Sequence, residues 1–313
     1  MEIEITEKID LSVEELTRVE FHSVINLLSL ITANLIQLGD KLHEPKAFER
    51  TINACARLSE LTSTPKVSEV VERFSSLEHL LEEDLDELVG MNANIVLNET
   101  FRVNLDNIES LFSVLRIRGK EIYDRIAKPR SWIFHNIRDV QNMLTDFLAA
   151  VEKNSKGRYH IVLDPKQKSL SDYLVEIKIS SIDGSIIYMP LAMPDVLRDL
   201  LANARKYTPP GGLLRLSARD NGSCLRCTIE DTGIGIPEEE ISKVVNFGVR
   251  GSNIPAYQRQ YGGGFGLTKA WVITQGASGK MWISSAPNRG TKITIDIPRP
   301  SMEELPVDQA KAA

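Results

Sequence analysis

Cysteine is scarce in this chain, three in 313 residues, which excludes a disulfide framework and fits a reducing compartment. Basic charge is not concentrated either. The 37 Lys and Arg are outnumbered by 43 Asp and Glu, giving a net charge of −6, and no segment carries a dominant basic run. A nucleic-acid partner is therefore not expected. Long apolar runs are missing as well: the stretch 24–36 is interrupted by Asn26, Ser29, Thr32 and Asn34, so no membrane span is expected. The opening MEIEITEKID is acidic and lacks the apolar core of a secretory signal. No G-x-x-x-x-G-K-[ST] occurs, which excludes a Walker-type phosphate loop. What is present, 42% hydrophobic and 26% charged residues, is the composition of a cytoplasmic protein of roughly two globular domains.

Two of the cysteines, Cys224 and Cys227, form a C-x-x-C within SCLRCTIED, a segment that alternates in strand fashion. On a strand their thiols point to opposite faces, so they neither share a metal nor close a disulfide. A zinc site would also need a second ligand pair, which the chain does not supply.

Residues 1–155 read as helices. Ser12-Val13-Glu14-Glu15 is a capping box, and Phe21, Val24, Leu28, Ile31, Leu35, Leu38 and Leu42 then step 3-4-3-4-3-4 as in a coiled-coil seam. Pro45 ends this helix, and further helices are expected over 46–63, 66–90, 100–127 and 130–154. The expectation is a helical bundle that pairs with a second copy along the seam. Beyond Lys153-Asn-Ser-Lys-Gly157 the pattern changes to strands at 159–163, 173–179, 186–189, 213–218, 224–230, 281–285 and 291–297. A helix over 194–207, a glycine-rich region at 248–266 and a helix running to about residue 275 lie among them. The fold class expected is α plus α/β: a bundle (1–155), a two-layer α/β sandwich (156–298) and a disordered tail (299–313).

Three motifs carry chemistry. On the 194–207 helix, Asp199, Asn203 and Lys206 share one face, with Tyr207 adjacent; such a stripe offers oxygens to a hydrated cation and an ammonium to a phosphate. Alone it more often describes a solvated helix face. Asp231-Thr-Gly-Ile-Gly-Ile-Pro237 follows a strand, so its carboxylate sits at a strand end and can accept from a purine amino group, or simply close an Asx turn. Gly262-Gly-Gly-Phe-Gly266-Leu267 precedes an apolar helix, where free N–H groups make a phosphate cradle. A dinucleotide fingerprint is disfavoured, since no strand lies immediately upstream.

Taken in order, LLANARKYTPPGG, EDTGIGIP, FGVRG, GGGFGL and SSAPNRGTKITIDIP closely resemble the ATP-binding domain of the sensor histidine kinases, within the ATPase superfamily that includes gyrase and the heat-shock ATPases. The resemblance covers residues 158–298. It implies that Asn203 holds magnesium, that Lys206 meets the phosphates and that Tyr207 lies against the nucleotide. Asp231 would accept the adenine amino group, with Gly233 and Gly235 shaping the pocket. Gly262, Gly264, Gly266 and Leu267 would border the triphosphate, Thr291 would help seat the adenine, and residues 247–261, with Arg250, would form a lid. Asp199 stands where the family has a polar Asn or Glu, with the implied role of orienting water or metal.

The same resemblance calls for a phospho-accepting histidine on a helix. Of His22, His43, His79, His135 and His160, the best match is His22-Ser-Val-Ile-Asn26, since the family carries Asn or Thr four residues after its histidine. The acid that usually follows the histidine is here Ser23, leaving Glu20 or water to take the ring proton. His135 is the runner-up. The expected function is a cytoplasmic, homodimeric histidine kinase that binds ATP and Mg2+, phosphorylates itself on His22 and passes the phosphoryl group to a response-regulator receiver protein. The competing readings are an ATP-gated binding protein of the same superfamily and a compact kinase acting on a partner serine; the long helical region disfavours the latter.

Overall fold

The computed structural model describes residues 2–61, 67–127, 131–153, 155, 157–255 and 264–300. The chain divides into two compact units, Asp10–Lys128 and a second one made of Met1–Ile9 with Pro129–Ala313. The division therefore falls at residue 128, not at 155.

The first unit is built from α1 (Val13–Lys41), α2 (Glu49–Leu61), α3 (Val67–Met91) and α4 (Glu99–Ala127). The capping box forms: Glu15 N donates to Ser12 Oγ at 3.2 Å and Ser12 N to Glu15 Oε2 at 2.9 Å. Contacts run from α1 to α2, α2 to α3, α3 to α4 and α4 back to α1, which closes a four-helix bundle within one chain. This corrects the seam expectation. Phe21, Val24, Leu28, Ile31, Leu35 and Leu38 are at most 1% exposed, and they pack against Phe48, Leu77, Ile108 and Leu115 of the same chain. The apolar ridge that calls for a partner finds one in α2–α4, so no second copy is needed to cover it. Local fit is close: Gly119 on α4 leaves room for Phe74 of α3, whose ring would lie 2.4 Å from a Cβ there. The buried Asp84 of α3 accepts from Thr51 N at 3.1 Å, from Thr51 Oγ1 at 2.7 Å and from Arg50 Nε at 2.6 Å, fixing the start of α2. By length and composition Glu14–Lys41 could cross a membrane; its seam residues face this bundle core, while Leu16, Leu30 and Ile36 are exposed.

The second unit corrects the helix expected over 130–154. Residues Trp132–Asn136 form a strand, β2, and only Ile137–Lys153 is helical, as α5. The sequence WIFHN supplies β-branched and aromatic residues that favour a strand, and β2 pairs antiparallel with β5 (Ile186–Pro190). His135 thus sits on a strand opposite Ile187. The main sheet also contains β1 (Glu2–Glu4), β3 (Ile161–Val162), β4 (Tyr173–Ser181), β6 (Leu213–Asp220), β7 (Cys224–Asp231), β8 (Lys280–Ser285) and β9 (Thr291–Pro298). Among the described residues its order is β1-β8-β9-β7-β6-β4-β3. β1 was not legible in the sequence. It adds to the sheet edge through Glu2↔Ser284 and Glu4↔Trp282, while Ile5 enters the core and Trp271 Nε1 donates to Glu7 O at 2.8 Å.

Helices α5, α6 (Met193–Tyr207) and α7 (Gly266–Gly276) form the second layer. Alternate sheet residues, Leu214 and Leu216, Leu225, Cys227 and Ile229, Ile293 and Ile295, share one buried core with Leu144, Leu197, Leu200 and Ala270 of these helices. Cys227 is buried, Cys224 lies on the other face, and both are free thiols, as the alternation requires. Of the tail expected to be disordered over 299–313, Arg299 is instead ordered, its N donating to Ser223 O at 2.9 Å and its guanidinium pairing with Asp183 and Asp220, and residues 301–313 lie outside the described residues.

Candidate functional site

The polar groups singled out in the sequence converge at the end of the sheet where β7 stops. Asp231 is the last residue of β7, opposite Thr291 at the start of β9. Its Oδ1 accepts from Gly233 N at 2.8 Å, and the Thr208 hydroxyl lies beside it. Burial pushes the Asp231 carboxyl up to about 6, against the opposing pull of these hydrogen bonds. The loop that follows is pinned on both sides. Ile234 N donates to Tyr207 O at 3.0 Å, joining it to the end of α6, and Gly290 N donates to Gly233 O at 3.0 Å. At Gly235, with φ +68°, a Cβ would lie 1.9 Å from the Ala286 carbonyl, so only glycine fits between the two loops.

One concave pocket is lined by Asn203, Tyr207, Asp231, Gly235, Gly264, Leu267 and Thr291, residues drawn from α6, β7, α7, β9 and two loops. Its apolar walls come from Leu200, Ile229, Ile236, Val244, Val249, Ile254 and Ile293. Such a pocket, with mainly apolar walls and one carboxylate among them, suits a flat heteroaromatic ring bearing an amino group. Gly266, the first residue of α7, lies so close to the lining residue Asn203 that a Cβ would be 2.6 Å from the Asn203 Nδ2. Gly264 (φ +76°) abuts the Arg250 side chain, and Arg250 itself lines the pocket. Lys206 stacks over the Tyr207 ring at 5.0 Å, and its ammonium is held below its ordinary range by burial and by the neighbouring cations Arg250 and Arg205. Positive charge therefore gathers where a helix N-terminus also points, an arrangement suited to phosphate.

Not every expected residue lines this pocket. Lys206 and Gly266 adjoin it through Tyr207 and Asn203 without lining it, Gly233 acts behind it as the donor to Asp231, and Asp199 points instead to Lys269, whose Nζ is 3.2 Å from its Oδ2. Gly262 and the run Tyr257–Tyr261 lie outside the described residues. Asn253, within the expected lid 247–261 but not singled out there, donates to Gly235 O at 2.9 Å and lines the pocket, and Lys269 was missed. A single Asn in a loop and a single Lys in an apolar helix carry no pattern in sequence. Among the described residues no cluster of three His, Cys, Asp or Glu could hold a metal unaided. With Asp199 engaged by Lys269, Asn203 offers a single amide oxygen, which suits magnesium only where ligand phosphates and waters complete the shell.

In the helical unit His22 is half-buried on α1, and its Nε2 lies 3.2 Å from Asn26 Nδ2. The i, i+4 spacing thus brings the two side chains together. His135 is different. Its Nε2 is buried without a hydrogen-bond partner, and burial lowers its pKa to about 4.

Residues 190–301 match the family of histidine kinase-, DNA gyrase B- and HSP90-like ATPases. Among curated proteins, the chain is 29% identical over 177 residues to the adaptive-response sensory kinase SasA of Synechococcus elongatus, covering 52% of this chain and 45% of that one. It is 34% identical over 118 residues to the sensor histidine kinase WalK of Bacillus subtilis, covering 37% of this chain and 19% of WalK. The chain thus spans less than half the length of these relatives. The solved mycobacterial sensor histidine kinase MprB overlaps 54% of this chain and 99% of its own at 18% identity, with a TM-score of 0.39, too low to carry an argument.

Proposed function

We propose that this chain is an ATP-dependent protein-histidine kinase. The observation that carries the reading is the convergence of Asn203, Tyr207, Asp231, Gly235, Gly264, Leu267 and Thr291 on one pocket of an ATPase-family domain. Asp231 accepts the adenine amino group, Thr291 and Gly235 border the base, and Tyr207 lies along the nucleotide. Lys206, Arg250 and the glycine start of α7 neutralise and orient the phosphates, work that consists of positioning and charge compensation. Magnesium, with Asn203 as its protein ligand, supplies further neutralisation of phosphate charge when bound.

His22 is the proposed acceptor. Donation from the Asn26 amide to Nε2 places the ring proton on Nδ1, and once the amide turns aside the Nε2 lone pair is free to act as nucleophile. Attack forms an N–P bond at Nε2, the bond between the γ-phosphorus and the bridging oxygen breaks with ADP leaving, and the Nδ1 proton passes to Glu20 or water, since Ser23 is a poor base. Transfer onward to an aspartate of a response regulator, a cytoplasmic location without a membrane span and pairing of two copies complete the proposal. Pairing then uses a face other than the seam, such as exposed Leu16 and Leu30 of α1 or Val103, Val114 and Ile117 of α4. Incubation with γ-labelled ATP tests the reading: label that is lost in acid, survives base and vanishes in His22→Gln is expected. The absence of an acid after His22 favours a second reading, an ATP-gated regulatory protein; it predicts ATP binding with no label at all.

A further inference from the structure

Lys269 lies on α7, three residues after Gly266, and is only 3% exposed. Its ammonium bonds to Asp195 and lies 3.2 Å from Asp199 Oδ2, both on α6. Asp195, 4% exposed, also bonds to Arg198, 6% exposed, so three buried charges and the half-buried Asp199 balance in the helical layer. Taking these charges out of water is costly, and an aliphatic side chain would cover the same surface at less expense. Directional bonds do what an aliphatic contact cannot: they fix the register of α7 along α6.

That register sets the geometry of the pocket. Asp199 is one turn before Asn203, and Gly266 is one turn before Lys269. Running along the two helices, the Lys269–Asp199 pair therefore lies next to the Asn203–Gly266 contact at the phosphate end of the pocket. A shift of α7 by a fraction of a turn would separate Gly266 from Asn203 without disturbing Asp231, which belongs to the sheet.

We propose that Lys269 is a positioning residue of the nucleotide site: it bolts α7 to α6 so that Asn203 and the N-terminus of α7 grip phosphate together. The inference rests on the nucleotide reading of the pocket. Its signature is a split between phosphate and adenine affinity, which a merely stabilising ion pair would not produce.

The test is calorimetric titration of the full chain with ATP, in magnesium and in EDTA, and with adenosine by competition. Lys269→Met is expected to weaken ATP by about tenfold or more in both media, the penalty of misplacing gripping groups by about an ångström. Adenosine should stay within roughly twofold of the unaltered protein. Equal loss for both ligands, or no loss for either, overturns the proposal. If Lys269→Met fails to fold by circular dichroism, Asp199→Ala takes its place, because it keeps the Lys269–Asp195 pair. Because one of the two bonds to Lys269 remains, it should show a smaller split of the same sign in EDTA, where any role in holding metal is silent; loss confined to magnesium, or no split, overturns the proposal. An unaltered chain that binds no ATP overturns the nucleotide reading itself and the inference with it.

Discussion

Asp231 gives the nucleotide pocket a pH dependence that can be worked from its surroundings. The carboxyl, ordinarily at 3.8, is pushed up to about 6, first by burial and then by the nearby Glu230 charge, against the pull of Gly233 N–H, Thr291 N–H and the Thr208 hydroxyl. Accepting the adenine amino group requires the ionised form. At pH 5 about one carboxylate in eleven is ionised, and near pH 7.5 almost all are, so ATP should bind about tenfold more weakly at pH 5. Stability of the unliganded domain runs the other way. Because the folded carboxyl holds its proton more tightly than the unfolded one, this group's contribution is present below about pH 3.8 and is lost as pH rises through about 6. Above that, ionised Asp231 costs roughly 1–3 kcal/mol, so Asp231→Asn should raise the unliganded melting temperature near pH 7.5 while weakening ATP by about 10–150-fold. Calorimetric titrations and melts at pH 5, 6 and 7.5 measure both arms. An ATP affinity equal at pH 5 and 7.5, or an Asp231→Asn variant that binds ATP like the unaltered protein, would refute the placement of adenine at this carboxylate.

Four other outcomes are expected. His135→Gln should retain acid-labile label that His22→Gln loses, because the His135 Nε2 is buried in a strand; label that follows His135 instead would reverse the assignment. Ile31→Asp or Leu35→Asp should unfold the bundle by circular dichroism, since each side chain is fully buried within one chain and an unpaired buried charge costs several kcal/mol; folded monomers by light scattering would restore the dimer seam. Gly235→Ala should lower the melting temperature and ATP affinity together, as its Cβ would collide with the Ala286 carbonyl. A fragment of residues 156–300 should fail to fold, because it lacks Ile5, Trp132, Val140, Leu144 and Leu148 of the domain core, whereas 129–300 should give a melting transition below that of the full chain. A well-folded 156–300 fragment would return the boundary to residue 155.

Much of the pocket was legible in the sequence because its chemistry is local. Asp231 announces itself by the D-x-G that follows a strand, Asn203 by its place on an amphipathic helix, and Gly264, Gly266 and Leu267 by their position at a helix start. Period-2 and period-3.6 patterns likewise located β6, β7, β9, α1 and α6, since each pattern reports which face of an element is dry. What a residue's dry face touches is a different question, and sequence does not answer it. The Phe21–Leu38 ridge reads the same whether a second copy or α2–α4 covers it, because burial has no memory of which chain supplies the partner; only the closed bundle decided that. WIFHN read as helix because its apolar spacing continued that of α5, and pairing with β5 overrode it. β1 is three residues long, too short for any period, and exists because an open sheet edge was there to receive it. Lys269 is a lone charge in an apolar helix, and its meaning came only from Asp195 and Asp199, some seventy residues earlier, which the fold sets beside it.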